Sequence, residues 1–97
     1  MNSITYQSGK REYFPDYSKF SEMHDALKEA GCNFCSYYDA KGDTHLVQYK
    51  KVPDGVEAMG IHYVINDTRK IDRWTIHDIA CKMVKEERYD EFLGWSL

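Results

Sequence analysis

Two cysteines stand at a spacing that can carry chemistry. Cys32 and Cys35 are separated by two residues, as in redox dithiols and in half of many zinc sites. A redox pair needs its first thiol at a helix N-terminus, whereas this pair follows a predicted helix. A zinc site needs four ligands, and His24 and His45 are the candidates nearby. We therefore expect two half-buried free thiols and no cofactor, with a zinc or redox site at Cys32/Cys35 as an alternative.

An acidic row marks one face of the first predicted helix. Glu22, Asp25 and Glu29 lie at i, i+3 and i+7, on the side away from the apolar stripe. At 1.5 Å per residue the row spans roughly 10.5 Å, which is about three phosphate steps of roughly 3.4 Å along a duplex. Such a row could occupy a lysine-lined groove that normally holds DNA. Lys28 interrupts it, and a solvated helix face is the alternative interpretation.

A second acidic cluster falls at the predicted end of the second helix. The cluster consists of Glu86, Glu87, Asp90 and Glu91, and Lys85 and Arg88 interrupt it. Negative charge at a helix C-terminus interacts unfavourably with the helix dipole and lowers the local stability of the helix. This loss of stability favours a functional role for the cluster. The residues that we predict as partner contacts are Glu22, Asp25, Glu29, Glu86, Asp90 and Glu91.

Basic residues offer an alternative, a small nucleic-acid-binding domain. They form two groups, Lys50 with Lys51, and Arg69 and Lys70 with Arg73. The predicted αβββα order is also that of double-stranded-RNA-binding domains. Those domains open their second helix with a lysine- and alanine-rich motif, which residues 74–78 lack. The net charge of −3 also argues against phosphate binding, so we expect no direct contact with nucleic acid.

No pattern in the sequence indicates an enzyme. The four histidines are scattered, and no serine or cysteine lies in a recognisable nucleophile turn. No glycine run resembles a phosphate-binding loop. We therefore expect a protein that acts by binding rather than by catalysis.

Hydrophobic periodicity predicts the elements that position these residues. Apolar positions three and four apart predict a first helix over 17–30, and Thr75 begins a second one. Strands are predicted over 34–38, 44–52 and 59–65, with a short one within 2–7, and 9–15 as a connector. The predicted fold class is α+β, a three-stranded antiparallel sheet with a possible short fourth N-terminal strand. Two helices pack on one face of that sheet, in the order (β)αβββα.

Length and composition predict one compact domain, residues 1–97. No apolar run is long enough to cross a membrane, and the N-terminus does not resemble a signal peptide. Three cysteines cannot all pair within the chain. We therefore expect free thiols in a reducing cytosol and no membrane association.

The chain resembles phage- or prophage-encoded host-takeover proteins, because it is short, rich in aromatic and acidic residues, and free of enzyme motifs. Within that group it is similar in length and αβ make-up to the small anti-CRISPR proteins that disable type I-F surveillance complexes. Some of those proteins imitate DNA. The resemblance implies a non-enzymatic DNA mimic in the host bacterial cytosol, which blocks target double-stranded DNA binding by such a complex.

Overall fold

The computed structural model describes residues 1–66 and 72–96. This part of the chain forms two helices and one mixed sheet, so the predicted α+β class is confirmed. In chain order the elements are β1 (Asn2–Thr5), β2 (Arg11–Phe14), α1 (Tyr17–Glu29), β3 (Asn33–Tyr38), β4 (Thr44–Val52), β5 (Gly55–Ala58), β6 (Ile61–Val64), α2 (Arg73–Glu87) and β7 (Gly94–Ser96).

Local capping sets both ends of α1. The Asp16 carboxylate accepts a hydrogen bond from the Ser18 backbone N–H at the start of the helix. At its end, the N–H groups of Gly31 and Cys32 donate to the carbonyls of Lys28 and Leu27, which is a Schellman arrangement. Gly31 has a φ of 91° there, in the left-handed region. The predicted helix over 17–30 is confirmed.

The second helix begins earlier than predicted. Asp72 is the N-cap, and its carboxylate accepts from both the backbone N–H and the hydroxyl of Thr75. Thr75 is therefore a donor in the first turn of α2 rather than the cap. Aspartate is among the best N-cap residues, so the start of α2 moves to Arg73.

The three-stranded antiparallel sheet was wrong, because the described chain contains seven paired strands. The sheet order is β2-β1-β4-β3-β7, and β5 pairs with β4 and then with β6. β1 runs parallel to β4, and every other strand pair is antiparallel. The long β4 organises the sheet: one edge pairs with β3, and the other edge pairs first with β1 and then with β5.

Two predicted segments divide differently. The connector predicted over 9–15 contains β2, which pairs with β1 as a hairpin. The segment predicted as one strand over 59–65 contains β6, which pairs with the preceding strand β5. A two-residue turn at Met59 and Gly60 joins β5 to β6. Both turn residues have positive φ values, 54° and 73°, which is the geometry of a tight type I′ hairpin.

The helices pack on opposite faces of the sheet, which corrects the prediction of a single covered face. On β4 the side chains alternate, so that Leu46 joins Phe20 of α1 in one apolar cluster. Its neighbour Val47 joins Ala80 and Val84 of α2 in the other. Successive strand residues point to opposite faces, so each helix covers its own side.

No helix in the described residues is long and apolar enough to span a bilayer.

Candidate functional site

The acidic row of α1 faces solvent. Glu22, Asp25 and Glu29 are all exposed, whereas Phe20 on the opposite side of the helix is buried. Within the described residues none of the three carboxylates forms an ion pair. Three negative charges are thus presented together from one rigid helix.

The second acidic cluster is divided between solvent and the fold. Glu86 and Asp90 are exposed, as is Glu87. Glu91 is partly buried, and its carboxylate accepts two hydrogen bonds from Arg11, at 3.1 and 2.8 Å. These bonds from Arg11 hold the pKa of Glu91 below its usual value. Glu91 therefore ties the segment after α2 to β2.

A buried polar network continues from Arg11. Its Nε donates to the Ser3 hydroxyl at 3.1 Å, and Ser3 Oγ lies 2.5 Å from His45 Nδ1. His45 Nε2 contacts the Asp39 carboxylate at 2.8 Å, and this hydrogen bond lowers the pKa of Asp39. The parallel pairing of β1 with β4 brings Ser3 directly beside His45.

Ser3, His45 and Asp39 are connected in the order of a nucleophile, a base and an orienting carboxylate. However, Ser3 is 0% exposed and His45 only 3% exposed. A substrate cannot reach a hydroxyl in that position, and Arg11 already occupies the serine oxygen. The geometry suits a structural network that satisfies buried polar groups between strands.

The basic residues form no continuous patch among the described residues. Lys50 and Lys51 are exposed neighbours on β4, so their side chains point to opposite faces. Lys51 and Arg73 line a cavity of about 280 Å³, together with Tyr49 and Asp72. Arg69 and Lys70 lie outside the described residues.

A wide groove runs between α1 and the start of α2. Its volume is about 710 Å³, and it is bordered by Tyr17 and His24 of α1, Phe34 of β3, and Trp74 and His77 of α2. Tyr17 is 70% exposed and Trp74 is 69% exposed. Large exposed aromatic rings beside a groove are typical of binding surfaces.

Cys35 contacts a cysteine and lies near a histidine of α2 in the structure. Cys35 is buried and its sulfur lies 3.4 Å from that of Cys81 on α2. Cys81 Sγ in turn lies 3.4 Å from His77 Nε2. Cys32 instead accepts a hydrogen bond from the Gln48 amide, at 3.5 Å. The alternative of a zinc or redox site at Cys32/Cys35 stays a prediction, whereas the contacts of Cys35 and Cys81 in the structure are with each other and with His77 on adjacent turns of α2.

Charge and hydrogen bonding distinguish the two sulfurs. The hydrogen bond to Cys81 and burial raise the pKa of Cys35. The same hydrogen bond lowers the pKa of Cys81, because Cys35 can donate to its thiolate. Cys81 is therefore the first of the pair to ionise.

Sequence reasoning missed the roles of Cys81 and His77. A usable signal was present, because the two residues stand at i and i+4 of an apolar-striped helix and so share one face. A search for histidine pairs alone passes over a mixed His and Cys pair. The Arg11–Ser3–His45 network had no comparable signal, since strand register brings those residues together.

Comparison with known proteins adds no relative. No family model matches the chain, and no curated protein or solved structure shows significant similarity to it.

Proposed function

We propose that this chain is a non-enzymatic inhibitor that binds a basic, nucleic-acid-binding surface of a host protein assembly through the exposed face of α1. The observation that carries the proposal is the row formed by Glu22, Asp25 and Glu29. All three are exposed and without ion pairs among the described residues, and they follow each other along one rigid helix. Carboxylates in that arrangement complement a surface built for phosphates.

The groove beside α1 adds a neighbouring surface, on the side of the helix that carries Phe20, His24 and Lys28. Tyr17 and Trp74 border it and are largely exposed, and aromatic residues of this kind anchor protein interfaces. Charges steer the encounter and fix its orientation, whereas buried aromatic area supplies most of the affinity. The acidic row supplies the charge component of a protein-binding site, and the groove on the adjoining side of α1 supplies the aromatic component.

The opposite-face arrangement narrows the predicted contact residues. Glu86 and Asp90 belong to the α2 side of the sheet, so one flat groove cannot contact them together with the α1 row. Glu91 is partly buried, and its carboxylate is already paired with Arg11. We therefore assign the contact to Glu22, Asp25 and Glu29.

The partner that we propose to test first is a type I-F CRISPR surveillance complex, in which a lysine-lined groove receives target DNA. The inhibitor would act in the bacterial cytosol by occupying that groove. Steric exclusion and charge matching are sufficient for this mechanism, and no bond is made or broken.

The direct experiment is a titration of a purified type I-F guide-RNA complex with this protein before labelled target duplex is added. We expect duplex binding to be lost near one equivalent of protein. The same labelled duplex mixed with the protein alone is the control, and it should remain unbound. Undiminished duplex binding by the complex would exclude competition at that site.

The second candidate function is a small nucleic-acid-binding domain. The observation in its favour is that Lys51 and Arg73 line a common cavity. Retention on heparin with a steep salt dependence would support it, since released counterions make phosphate binding sensitive to salt. Passage through the column at low salt would exclude it.

A further inference from the structure

Three metal-ligating side chains meet between β3 and α2. His77 and Cys81 stand one turn apart on the helix, and Cys35 points up from the strand beneath them. The Sγ of Cys35, the Nε2 of His77 and the Sγ of Cys81 all lie within 4.8 Å of one another. The acidic row on α1 includes none of these residues, although His77 borders the groove beside that helix.

We propose that Cys35, His77 and Cys81 form a Zn²⁺ site. Zinc prefers tetrahedral sets of cysteine sulfur and histidine nitrogen, at about 2.3 Å and about 2.0–2.1 Å. Those bond lengths place neighbouring ligand atoms roughly 3.5–3.8 Å apart. The Cys35–Cys81 sulfur–sulfur and the Cys81–His77 sulfur–nitrogen separations are both 3.4 Å. The third separation, from Cys35 Sγ to the His77 ring nitrogen, lies within 4.8 Å, so side-chain movement of up to about 1 Å completes the geometry.

The Tyr49 hydroxyl is a second, independent observation that supports the site. It lies 3.1 Å from His77 Nδ1, on the side of the ring away from the sulfurs. When Nδ1 donates its proton to this hydroxyl, Nε2 presents its lone pair toward Cys81. Metal-binding histidines are commonly oriented through the other ring nitrogen in this way.

The two thiols of the site differ in their exposure to solvent. Cys81 is partly exposed on α2 whereas Cys35 is buried, so an entering cation would meet the Cys81 sulfur first. The bound ion then favours the thiolate of the buried Cys35, because a coordinating thiol is deprotonated by the metal. Binding releases the thiol protons to solvent.

The same geometry suits a metal better than a disulfide. A disulfide would require an oxidant and would bring the sulfurs to about 2.05 Å, whereas a metal ion would hold them near their present separation of 3.4 Å. A disulfide would also leave His77 without a role. Three protein ligands leave the fourth position of the metal to water, and His77 borders the wide groove through which water can reach it.

Cobalt binding tests the site directly. The protein is reduced, freed of metal and titrated with Co²⁺, whose thiolate charge-transfer and d–d absorption report tetrahedral sulfur coordination. We expect saturation at one equivalent, displacement by Zn²⁺, and a higher Tm in the presence of Zn²⁺.

Matched variants locate the binding residues. His77→Ala and Cys81→Ser should abolish the saturable cobalt absorption, and both positions are only partly buried, so the fold should persist in far-UV circular dichroism. His24→Ala and Cys32→Ser are the matched controls, and they should bind Co²⁺ as the wild-type protein does. The site would be disproved if reduced wild-type protein gave no cobalt absorption, or if the control variants lost it instead.

Tyr49→Phe separates a positioned histidine from a merely adjacent one. The substitution keeps the ring and removes only the hydroxyl that contacts His77. We expect Zn²⁺ to bind about 10–100-fold more weakly, which is the usual effect of removing such a partner. Unchanged Zn²⁺ affinity in a folded Tyr49→Phe variant would show that the hydroxyl does not position His77. The cobalt titration would still decide whether Cys35, His77 and Cys81 bind the metal.

Discussion

At the scale of single residues, the Arg11 side chain joins three separate parts of the described structure. Its guanidinium contacts Ser3, His45 and Glu91, so it joins β1, β4 and the segment after α2. Burial would disfavour the isolated charge, whereas the carboxylate of Glu91 keeps it ionised and raises its pKa. A buried network of this kind stabilises the fold only while every member keeps its partner.

The carboxylates of this network predict how stability changes in acid. The pKa values of Glu91 and Asp39 are lowered from 4.5 and 3.8 by hydrogen bonds from Arg11 and His45. Their stabilising contribution is complete above those ordinary values and is lost as the pH falls through the lowered ones. Urea unfolding between neutral and acid pH should therefore show a falling midpoint.

Glu91→Gln is the variant that tests this assignment. It should be less stable than wild type at neutral pH, because the ion pair to Arg11 is gone. Its midpoint should also fall less steeply in acid, since glutamine does not titrate. An acid dependence identical to that of the wild-type protein would show that Glu91 does not contribute.

At the scale of elements, local chemistry was predictable and long-range pairing was not. The periodicity of Phe20, Met23 and Leu27 with Gly31 after it defined α1, because helix signals lie within a few residues. The parallel pairing of β1 with β4 joins residues about forty positions apart, which no local pattern encodes. The sequence prediction also placed both helices on one face of the sheet, because no local pattern shows which face a helix covers.

The turn between β5 and β6 was hard to predict because its first residue, Met59, is uncommon in such turns. Hairpin turns of this geometry favour Asn-Gly or Asp-Gly, and here the first position is Met59. The segment therefore looks like one continuous alternating strand. The turn is stabilised by tertiary contact instead, because the Gly60 N–H donates to the Gln7 carbonyl at 2.7 Å.

A pair of glycine variants measures how closely Gly60 approaches the backbone of Ser8. Gly60 has a φ of 73°, and a Cβ there would lie 2.9 Å from the Ser8 carbonyl oxygen. Gly31 has a φ of 91°, and its Cβ would meet nothing within 4 Å. Gly31→Ala should cost about 1–2 kcal/mol from backbone strain alone. Gly60→Ala should cost about 1–3 kcal/mol more from overpacking, and equal losses in urea unfolding would contradict the contact.

At the scale of the whole molecule, one sheet supports two separate faces. The α1 face carries the acidic row, and the α2 face carries the cysteine and histidine cluster. Residues of both helices border the groove, including His77 of that cluster. β4 contributes alternate side chains to both cores. Partner binding and metal binding can therefore coexist on one small domain.

Three tyrosines distributed over the molecule predict its behaviour in alkali. Burial raises the pKa values of Tyr6, Tyr37 and Tyr49 from 10.0 to about 12. Their contribution to stability is complete below pH 10.0 and is lost as the pH rises through about 12. Tyrosinate absorbance should show a late-titrating class in the native protein that disappears in urea. A single class of tyrosines that titrates near pH 10.0 would contradict the burial of these three side chains.

The central claim, that α1 presents the inhibitory surface, is tested most directly by two matched charge-reversal variants. One replaces Glu22, Asp25 and Glu29 with lysine, and the other replaces the exposed acids Glu86, Glu87 and Asp90. Both change the net charge equally, so any difference between them reports the location of the surface. Binding of each to the purified type I-F complex is measured at one salt concentration.

We predict that reversal of the α1 row weakens binding at least about 100-fold, because like charges across an interface cost several kcal/mol. The α2 variant should bind within a few-fold of wild type. Equal weakening by both variants, or a loss confined to the α2 variant, would contradict the assignment of the inhibitory surface to α1.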